Sequence, residues 1–341
     1  MKKIKFLLYP LSFLYGFYTY LRNFLFDVGI IHSIEYKIPT IGVGNLSTGG
    51  TGKSIIVDYL IEKFKRKKNI ATLSRGYNRD TKGFIQASKK SSAYQIGDEP
   101  FQFFKKHPEI SVVVCENRRK GMDIILKNLP KTELCIWDDI FQHRFVKPGL
   151  MILTTTFQYP FYKDKILPVG NLRENKDSFK RADLIVVTKC PIELSESEKR
   201  AFLDSLNPTE KQKVFFSSLR YIQTIKSDKD QIDLSILRDN QFILVTGIAD
   251  SSYLVDFLTN MGLNFNHLKY SDHYNFKKSS IEKIRGLSFN KYILTTEKDY
   301  GRLRPKITDR DLYYIEVSIK FSNSPNEHSF DEVLEEYLKK D

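Results

Sequence analysis

Along most of the chain, short apolar runs alternate with stretches whose apolar positions recur at helical spacing. The runs stand at Ile38–Val43, Ile70–Leu73, Ile110–Val114, Leu134–Trp137, Met151–Leu153 and Leu184–Val187, and their length and content predict strands. Arg118–Asn128 is one of the helical stretches between them, and Ser195 with Glu198 forms the capping-box pattern that opens another. Strands and helices in alternation predict a parallel sheet covered on both faces. From Gln212 to Leu237 the pattern loosens into polar, lysine-rich sequence with short β-like pieces, which predicts a linker. A second α/β stretch lies beyond it. It has strands at Phe242–Val245, Tyr292–Thr295 and Leu312–Val317, a helix from Ser252 to Met261 stopped by Gly262, and a closing helix at Asp331–Lys340. No internal repeat is visible. The reading is α/β: a parallel-sheet domain over 31–211, a linker over 212–237 and a smaller α/β domain over 238–341. The last helix is free to pack back on the first domain.

Residues 1–30 break the alternation. Lys2, Lys3 and Lys5 precede an uncharged run from Phe6 to Leu21, in which Phe13, Tyr15, Phe17, Tyr18 and Tyr20 are gathered. A membrane span needs about 20 apolar residues, and Arg22 and Asn23 interrupt this one. No small-residue cleavage site of a signal peptide comes after it. Clustered aromatic residues suit a membrane interface, so the segment is predicted to be a membrane-associated helix lying on or dipping into one leaflet.

Composition narrows the partners. At 341 residues, 41% hydrophobic and 28% charged, the chain has room for two cores and is not of disordered type. Its net charge of +13 fits nucleic acid, a membrane surface or an anionic small substrate. No nucleic-acid-binding motif or zinc-ligand spacing is present, which favours the last two. Cys115, Cys135 and Cys190 are few, odd in number and in or beside apolar runs, and are expected to be buried free thiols.

The chemistry centres on Ser47-Thr48-Gly49-Gly50-Thr51-Gly52-Lys53-Ser54. A strand precedes it, and Ile55, Ile56, Tyr59, Leu60 and Phe64 come next on one helical face, which is the setting of a phosphate-binding loop. Backbone N–H groups of the small residues can wrap phosphate oxygens, and the next helix adds its positive end. Lys53 is placed to reach the β- and γ-phosphates and Ser54 to ligate Mg²⁺. Ser47 stands where the usual pattern has glycine.

Leu134-Cys135-Ile136-Trp137-Asp138-Asp139 is an apolar strand ending in two acids, the form of a second Mg²⁺ ligand in such proteins, with Gln142, His143 and Arg144 on the same rim. Gly97-Asp98-Glu99-Pro100 puts two acids before a helix, where capping by Asp98 is the alternative. Arg75 after a strand and Arg173-Glu174 in a loop offer further charges at the sheet's C-terminal edge. Thr188-Lys189 resembles the base-reading loop of GTPases, but Pro191 replaces the acid that would bind guanine, which argues for ATP. Asp272-His273-Tyr274 and Thr296-Glu297-Lys298-Asp299 lie in the second domain, each explicable structurally.

In order along the chain, these pieces resemble the tetraacyldisaccharide 4′-kinase family of lipid A synthesis. The likeness rests on Val43-Gly44-Asn45-Leu46 leading into the phosphate loop, Leu73-Ser74-Arg75-Gly76-Tyr77, Gly97-Asp98-Glu99-Pro100 and Asp138-Asp139-Ile140-Phe141-Gln142-His143. Leu172-Arg173-Glu174, Thr246-Gly247-Ile248-Ala249, Asp272-His273 and Thr296-Glu297-Lys298-Asp299 complete it. Ile140 replaces the family's usual glycine, and Asp250-Ser251 its Asn-Pro pair. The resemblance implies transfer of the γ-phosphate of ATP, with Mg²⁺, to the 4′-hydroxyl of an acylated disaccharide 1-phosphate. It also implies a protein peripheral or monotopic on the cytoplasmic face of the bacterial inner membrane. Catalytic roles then fall to Asp98, His273, Lys53 and Asp139, Mg²⁺ ligation to Ser54 and Asp138, and substrate contacts to Arg75, Glu99, Gln142, His143, Arg173 and Glu174. Asp98 and His273 would meet only when the two domains close. The alternative, a phosphate-loop switch or metallochaperone NTPase, needs a partner-binding surface and often a Cys/His metal cluster, and neither is evident; nor is an obligate protein partner.

Overall fold

The computed structural model describes residues 7–289, 291–322 and 328–339. Lys2, Lys3 and Lys5, and Lys340 of the predicted closing helix, lie outside the described residues. Helix α1 (Tyr9–Asp27) leads into β1 (Thr40–Asn45), α2 (Lys53–Phe64), β2 (Ile70–Ser74), β3 (Ile85–Gln86), α3 (Ala93–Ile96) and α4 (Asp98–Lys106). Then come β4 (Ser111–Val114), α5 (Arg118–Asn128), β5 (Leu134–Asp138), β6 (Leu150–Thr156), β7 (Leu184–Thr188) and α6 (Glu196–Leu206). Strands β8 (Lys213–Lys226), β9 (Gln231–Asp233) and β10 (Phe242–Thr246) are followed by α7 (Ser252–Asn260), β11 (Phe265–Lys269) and α8 (Lys278–Leu287). The chain ends with β12 (Tyr292–Thr296), α9 (Glu297–Leu303), β13 (Leu312–Phe321) and α10 (Phe330–Lys339).

Among the described residues the strands run β3-β4-β2-β5-β1-β6-β7-β8-β13-β12-β10-β11, with β9 beside β8, and most neighbours are parallel. The strands of the first half are buried at nearly every position, as double coverage requires, which is why they read as unbroken apolar runs. Ser195 and Glu198 make the predicted capping box.

The stretch expected as a linker is instead organised around a 14-residue strand. Residues Lys213 to Phe216 of β8 pair in parallel with β7, and Ser217 to Lys226 pair antiparallel with β13. The sheet of the first half therefore continues into the second through one strand. Its outer part looks linker-like because half-buried Leu219 and Tyr221 neighbour solvent-facing polar residues, so only part of its surface is apolar. Helix α10 packs against α2 and β1: Tyr59 donates to Asp331 at 2.7 Å and Tyr337 to the Thr40 carbonyl at 3.1 Å, while Phe330 and Leu334 enter the core of Ile56, Leu60 and Phe215.

Strand β1 passes close to the segment after β5, and this approach fixes where the loop between β1 and α2 begins. A Cβ at Gly44 would lie 2.6 Å from Cβ of Phe141 and 2.8 Å from its backbone nitrogen, distances no relaxed contact allows. Gly44→Ala should therefore destabilise the protein by about 1–3 kcal/mol through overpacking. Gly286→Ala, where nothing lies within 4 Å, should instead stabilise by about 0.4–1 kcal/mol. Urea midpoints of the two variants check this; a Gly44→Ala midpoint at or above wild type would show that Phe141 can move away.

Candidate active site

The loop between β1 and α2 is shaped by its own side chains and by its neighbours. Gly49 and Gly52 have φ of 114° and 84°, which glycine adopts without strain. Asn45 Nδ2 donates to the Ser47 carbonyl at 2.6 Å and to Thr51 Oγ1 at 2.9 Å, pulling the loop into a closed turn. Thr188 Oγ1 at the end of β7 donates to the Thr51 carbonyl at 2.8 Å, and the Thr51 and Thr154 hydroxyls lie 2.8 Å apart. On the outer side Thr48 N donates to the Asn171 carbonyl at 2.7 Å and Arg173 N to the Leu46 carbonyl at 2.8 Å, while Ser47 bridges Leu172. Ser47 is thus a strand-like edge residue, a role that does not require glycine. Thr48, Gly49 and Gly50 remain exposed, and Ser54 is half-buried in the first turn of α2. Such a loop presents backbone N–H groups at a helix start, an anion site by construction.

Lys53 donates to Asn45 Oδ1 at 3.1 Å and stands 3.5 Å from Asp139. Asp139 also accepts from Arg173 Nη1 at both oxygens, at 3.0 and 3.1 Å, and the same nitrogen donates to Gln142 Oε1 at 3.3 Å. Burial alone would raise its carboxyl, but Lys53, Arg173 and Arg118 outweigh that and hold it down to about 2. Asp138, one residue earlier, behaves oppositely. Burial first and the Asp139 charge second push it up to about 7, and its Oδ1 is buried without a hydrogen-bond partner. An orphaned carboxylate oxygen beside a phosphate loop suits a divalent cation, so Asp138 with Ser54 fits Mg²⁺. Among the described residues there is no group of three or more His, Cys, Asp or Glu that could hold a metal ion.

The other candidates separate into two kinds. Arg75 is exposed and Glu99 half-buried, and their charges act on Arg118 and Asp138 respectively. Gln142 Nε2 donates to the Asn45 carbonyl at 2.9 Å and to Glu174 Oε1 at 3.1 Å, so it braces the loop. His143 is driven down to about 3 by burial and then by Arg118, and is neutral at ordinary pH. Glu174, expected to touch substrate, does not reach the rim. It is fully buried, accepting from Arg181 at 3.0 and 3.1 Å, from Gln142 and from Asn23.

Asp98 and His273 lie in contact, not apart awaiting closure. His273 Nδ1 donates to Asp98 Oδ2 at 2.7 Å, and Arg302 Nε donates to Asp98 Oδ1 at 2.6 Å. Lys298 donates to His273 Nε2 at 3.0 Å and stands 3.4 Å from Glu99. Thr296 caps α9 by accepting from Asp299 N, which sets Lys298 and Arg302, four residues apart, on one helical face toward the pair. Asp299 in turn accepts from Gly247 N at 2.8 Å, tying the Thr246-Gly247 turn to α9. The turn substitution at Asp250 brings its carboxylate 3.6 Å from Lys189.

Sequence reasoning missed Arg118, Lys298 and Arg302 as site residues. Buried Arg118 donates to the Cys115 carbonyl at 2.7 Å and the Asp138 carbonyl at 3.3 Å. Its position at the start of a predicted helix gave no sign that it turns inward beneath two acids. The four-residue spacing from Lys298 to Arg302 is a usable signal, hidden because the charges around Lys298 suit a solvated turn equally well.

A family model described as tetraacyldisaccharide-1-P 4′-kinase (LpxK) matches residues 4–339. A tetraacyldisaccharide 4′-kinase of Flavobacterium psychrophilum is 42% identical over 334 residues, covering 97% of this chain and 96% of that protein. Its counterpart in Flavobacterium johnsoniae is 38% identical over 339 residues, covering 99% and 98%. Among solved structures, LpxK from Aquifex aeolicus in complex with ATP is similar with a TM-score of 0.78 at 30% identity, covering 99% of each chain. The motifs around the phosphate loop and the Asp98–His273 pair thus sit within an end-to-end match, and the chain belongs to the tetraacyldisaccharide 4′-kinase family.

Proposed function

We propose that this protein transfers the γ-phosphoryl group of ATP to the 4′-hydroxyl of a tetraacyldisaccharide 1-phosphate, a step of lipid A synthesis. The observation that carries the reading is a phosphate loop whose lysine stands beside the Asp138–Asp139 pair, together with a hydrogen-bonded Asp98–His273 pair whose neighbour Glu99 acts electrostatically on Asp138. The loop's N–H groups and Lys53 hold the triphosphate, with Lys53 exchanging its Asn45 and Asp139 partners for phosphate oxygens. Asp138 and Ser54 would hold Mg²⁺, which would supply charge neutralisation for the transferred phosphoryl group. Asp139 and Arg173 orient Lys53 and the rim. The Asp98–His273 pair receives the hydroxyl proton as the new O–P bond forms and the bond to the ADP oxygen breaks. Arg75 and Glu99 contact the acceptor, and Lys298 and Arg302 fix the pair. Mass spectrometry of the lipid after incubation with ATP and Mg²⁺ tests the reading; phosphate release with no phosphorylated lipid would support a switch NTPase instead.

The outer face of α1 supports a lipid surface as the place of work. Phe13, Leu14, Phe17, Tyr18, Tyr20 and Phe24 are exposed on it, while Ser12, Tyr15, Thr19, Asn23 and Phe26 face the body. No helix of the described residues is long and apolar enough to cross a membrane. We infer a helix lying in the cytoplasmic leaflet of the bacterial inner membrane, where ATP and an acylated substrate meet. Phe13→Ser with Phe17→Ser should reduce sedimentation with vesicles of anionic phospholipid at least several-fold and leave ATP affinity intact. Unchanged sedimentation would move the attachment elsewhere.

The two acids differ in their response to pH. The folded value of Asp138 is raised to about 7, so its share of stability is complete below the ordinary carboxylate range and is lost as pH rises through about 7. Asp138→Asn should flatten that decline in thermal midpoint and abolish transfer. An equally steep decline in the variant would assign the titration to another group.

If Asp98 and His273 act as one unit, each substitution to alanine should lower kcat by on the order of 10²–10⁴-fold. The losses should not multiply, since removing either member disables the pair. Equality of the double-variant loss with the product of the single losses would assign one residue a purely structural role.

A further inference from the structure

Resting on the kinase reading, we propose that α1 is a positioning element of the transfer site as well as an attachment, with Asn23 and Tyr15 as its positioning residues. Two polar lines run from the helix into the site. Asn23 Nδ2 donates to Oε2 of buried Glu174; Glu174 Oε1 accepts from Gln142 Nε2, which also donates to the Asn45 carbonyl at 2.9 Å. Asn45 Oδ1 accepts from Lys53 at 3.1 Å, so a short chain of hydrogen bonds links a surface helix to the phosphate-loop lysine. On the second line Tyr15 OH donates to the Arg173 carbonyl at 2.8 Å, and the guanidinium of that residue holds both oxygens of Asp139.

Attachment alone does not call for this arrangement. A helix needing only a grip on the body could bury apolar side chains, whereas a buried amide is tolerated when its hydrogen bonds are made. Asn23 makes its bond to a carboxyl group that is itself shut away from water. Arg144 holds the helix at the same level, donating to the Asn23 carbonyl at 2.8 Å and to Asp27 at 2.7 Å. Removing the Asn23 donor leaves the Glu174 carboxylate to shift toward Arg181. Gln142 then tracks one acceptor at the expense of the other, and the Asn45–Lys53 contact loses its brace. Seating of α1 is thereby coupled to the readiness of Lys53 and Asp139.

The test uses the full chain with Asn23→Leu, which keeps the branched skeleton but removes the amide donor, and Tyr15→Phe, which deletes one hydroxyl and keeps the ring packing. Steady-state kinetics with ATP and lipid acceptor, hydrogen exchange of amides 45–54 and 172–174, and sedimentation with phosphatidylglycerol–phosphatidylethanolamine vesicles are read on each. We expect kcat to fall roughly tenfold, equivalent to about 1.4 kcal/mol of barrier, with faster exchange at those amides and wild-type sedimentation. Wild-type kcat and exchange in both variants would overturn the proposal. So would a loss confined to the acceptor KM and accompanied by loss of sedimentation, which makes α1 an anchor only. Should the wild-type protein phosphorylate no lipid, the kinase reading falls on its own, and the exchange comparison still decides the coupling.

Discussion

Two adjacent carboxylates at the end of β5 constrain the whole site. Asp138 and Asp139 cannot both carry charge in a buried setting unless cations stand beside them, and the chain supplies Lys53, Arg173 and Arg118 from three separate segments. The left-handed backbone at Asp139, with φ of 51°, sets the two residues in different surroundings. Asp139 takes the cations and stays ionised, while Asp138 is left with an unpartnered oxygen and a raised carboxyl. Division of labour between neighbouring acids comes from environment rather than residue type. The loop, the 171–174 segment and the start of α5 are held where they are by the need to balance this pair.

What was legible in the sequence was what is local. The phosphate loop, the strand ending in Asp138-Asp139 and the capping box at Ser195 depend on residues within one turn or one strand, and their patterns survive in one dimension. Strand β8 was not legible because it changes partner and burial midway, pairing with a fully covered sheet at one end and a partly exposed ladder at the other. A strand with two environments has no single period. Glu174 was misplaced for a related reason: a charged residue in a loop motif suggests a solvent-facing contact, and only tertiary structure reveals Arg181, Gln142 and Asn23 closing over it. Arg118 and Arg302 were missed since a buried arginine looks like any other in sequence.

The pairing of Asp98 with His273 bears on how the two ends of the sheet cooperate. Asp98 lies at the start of α4, near one edge strand, and its partners come from beyond β10 and from α9, 175 and 204 residues further on. A carboxylate so enclosed needs its partners for solvation alone, because an unpaired buried charge is strongly unfavourable. The contacts that would orient an acceptor hydroxyl are therefore also contacts that hold the late segments against the early ones. Continuity of the sheet through β8 gives both segments a common frame, and a Cβ added at Gly50 of the phosphate loop would lie 3.4 Å from Cβ of Ala249. Large separation of the two halves would strip Asp98 of its donors from His273 and Arg302. Rigid framing of this kind matches what phosphoryl transfer asks of a protein, namely positioning and fixed charge more than covalent chemistry.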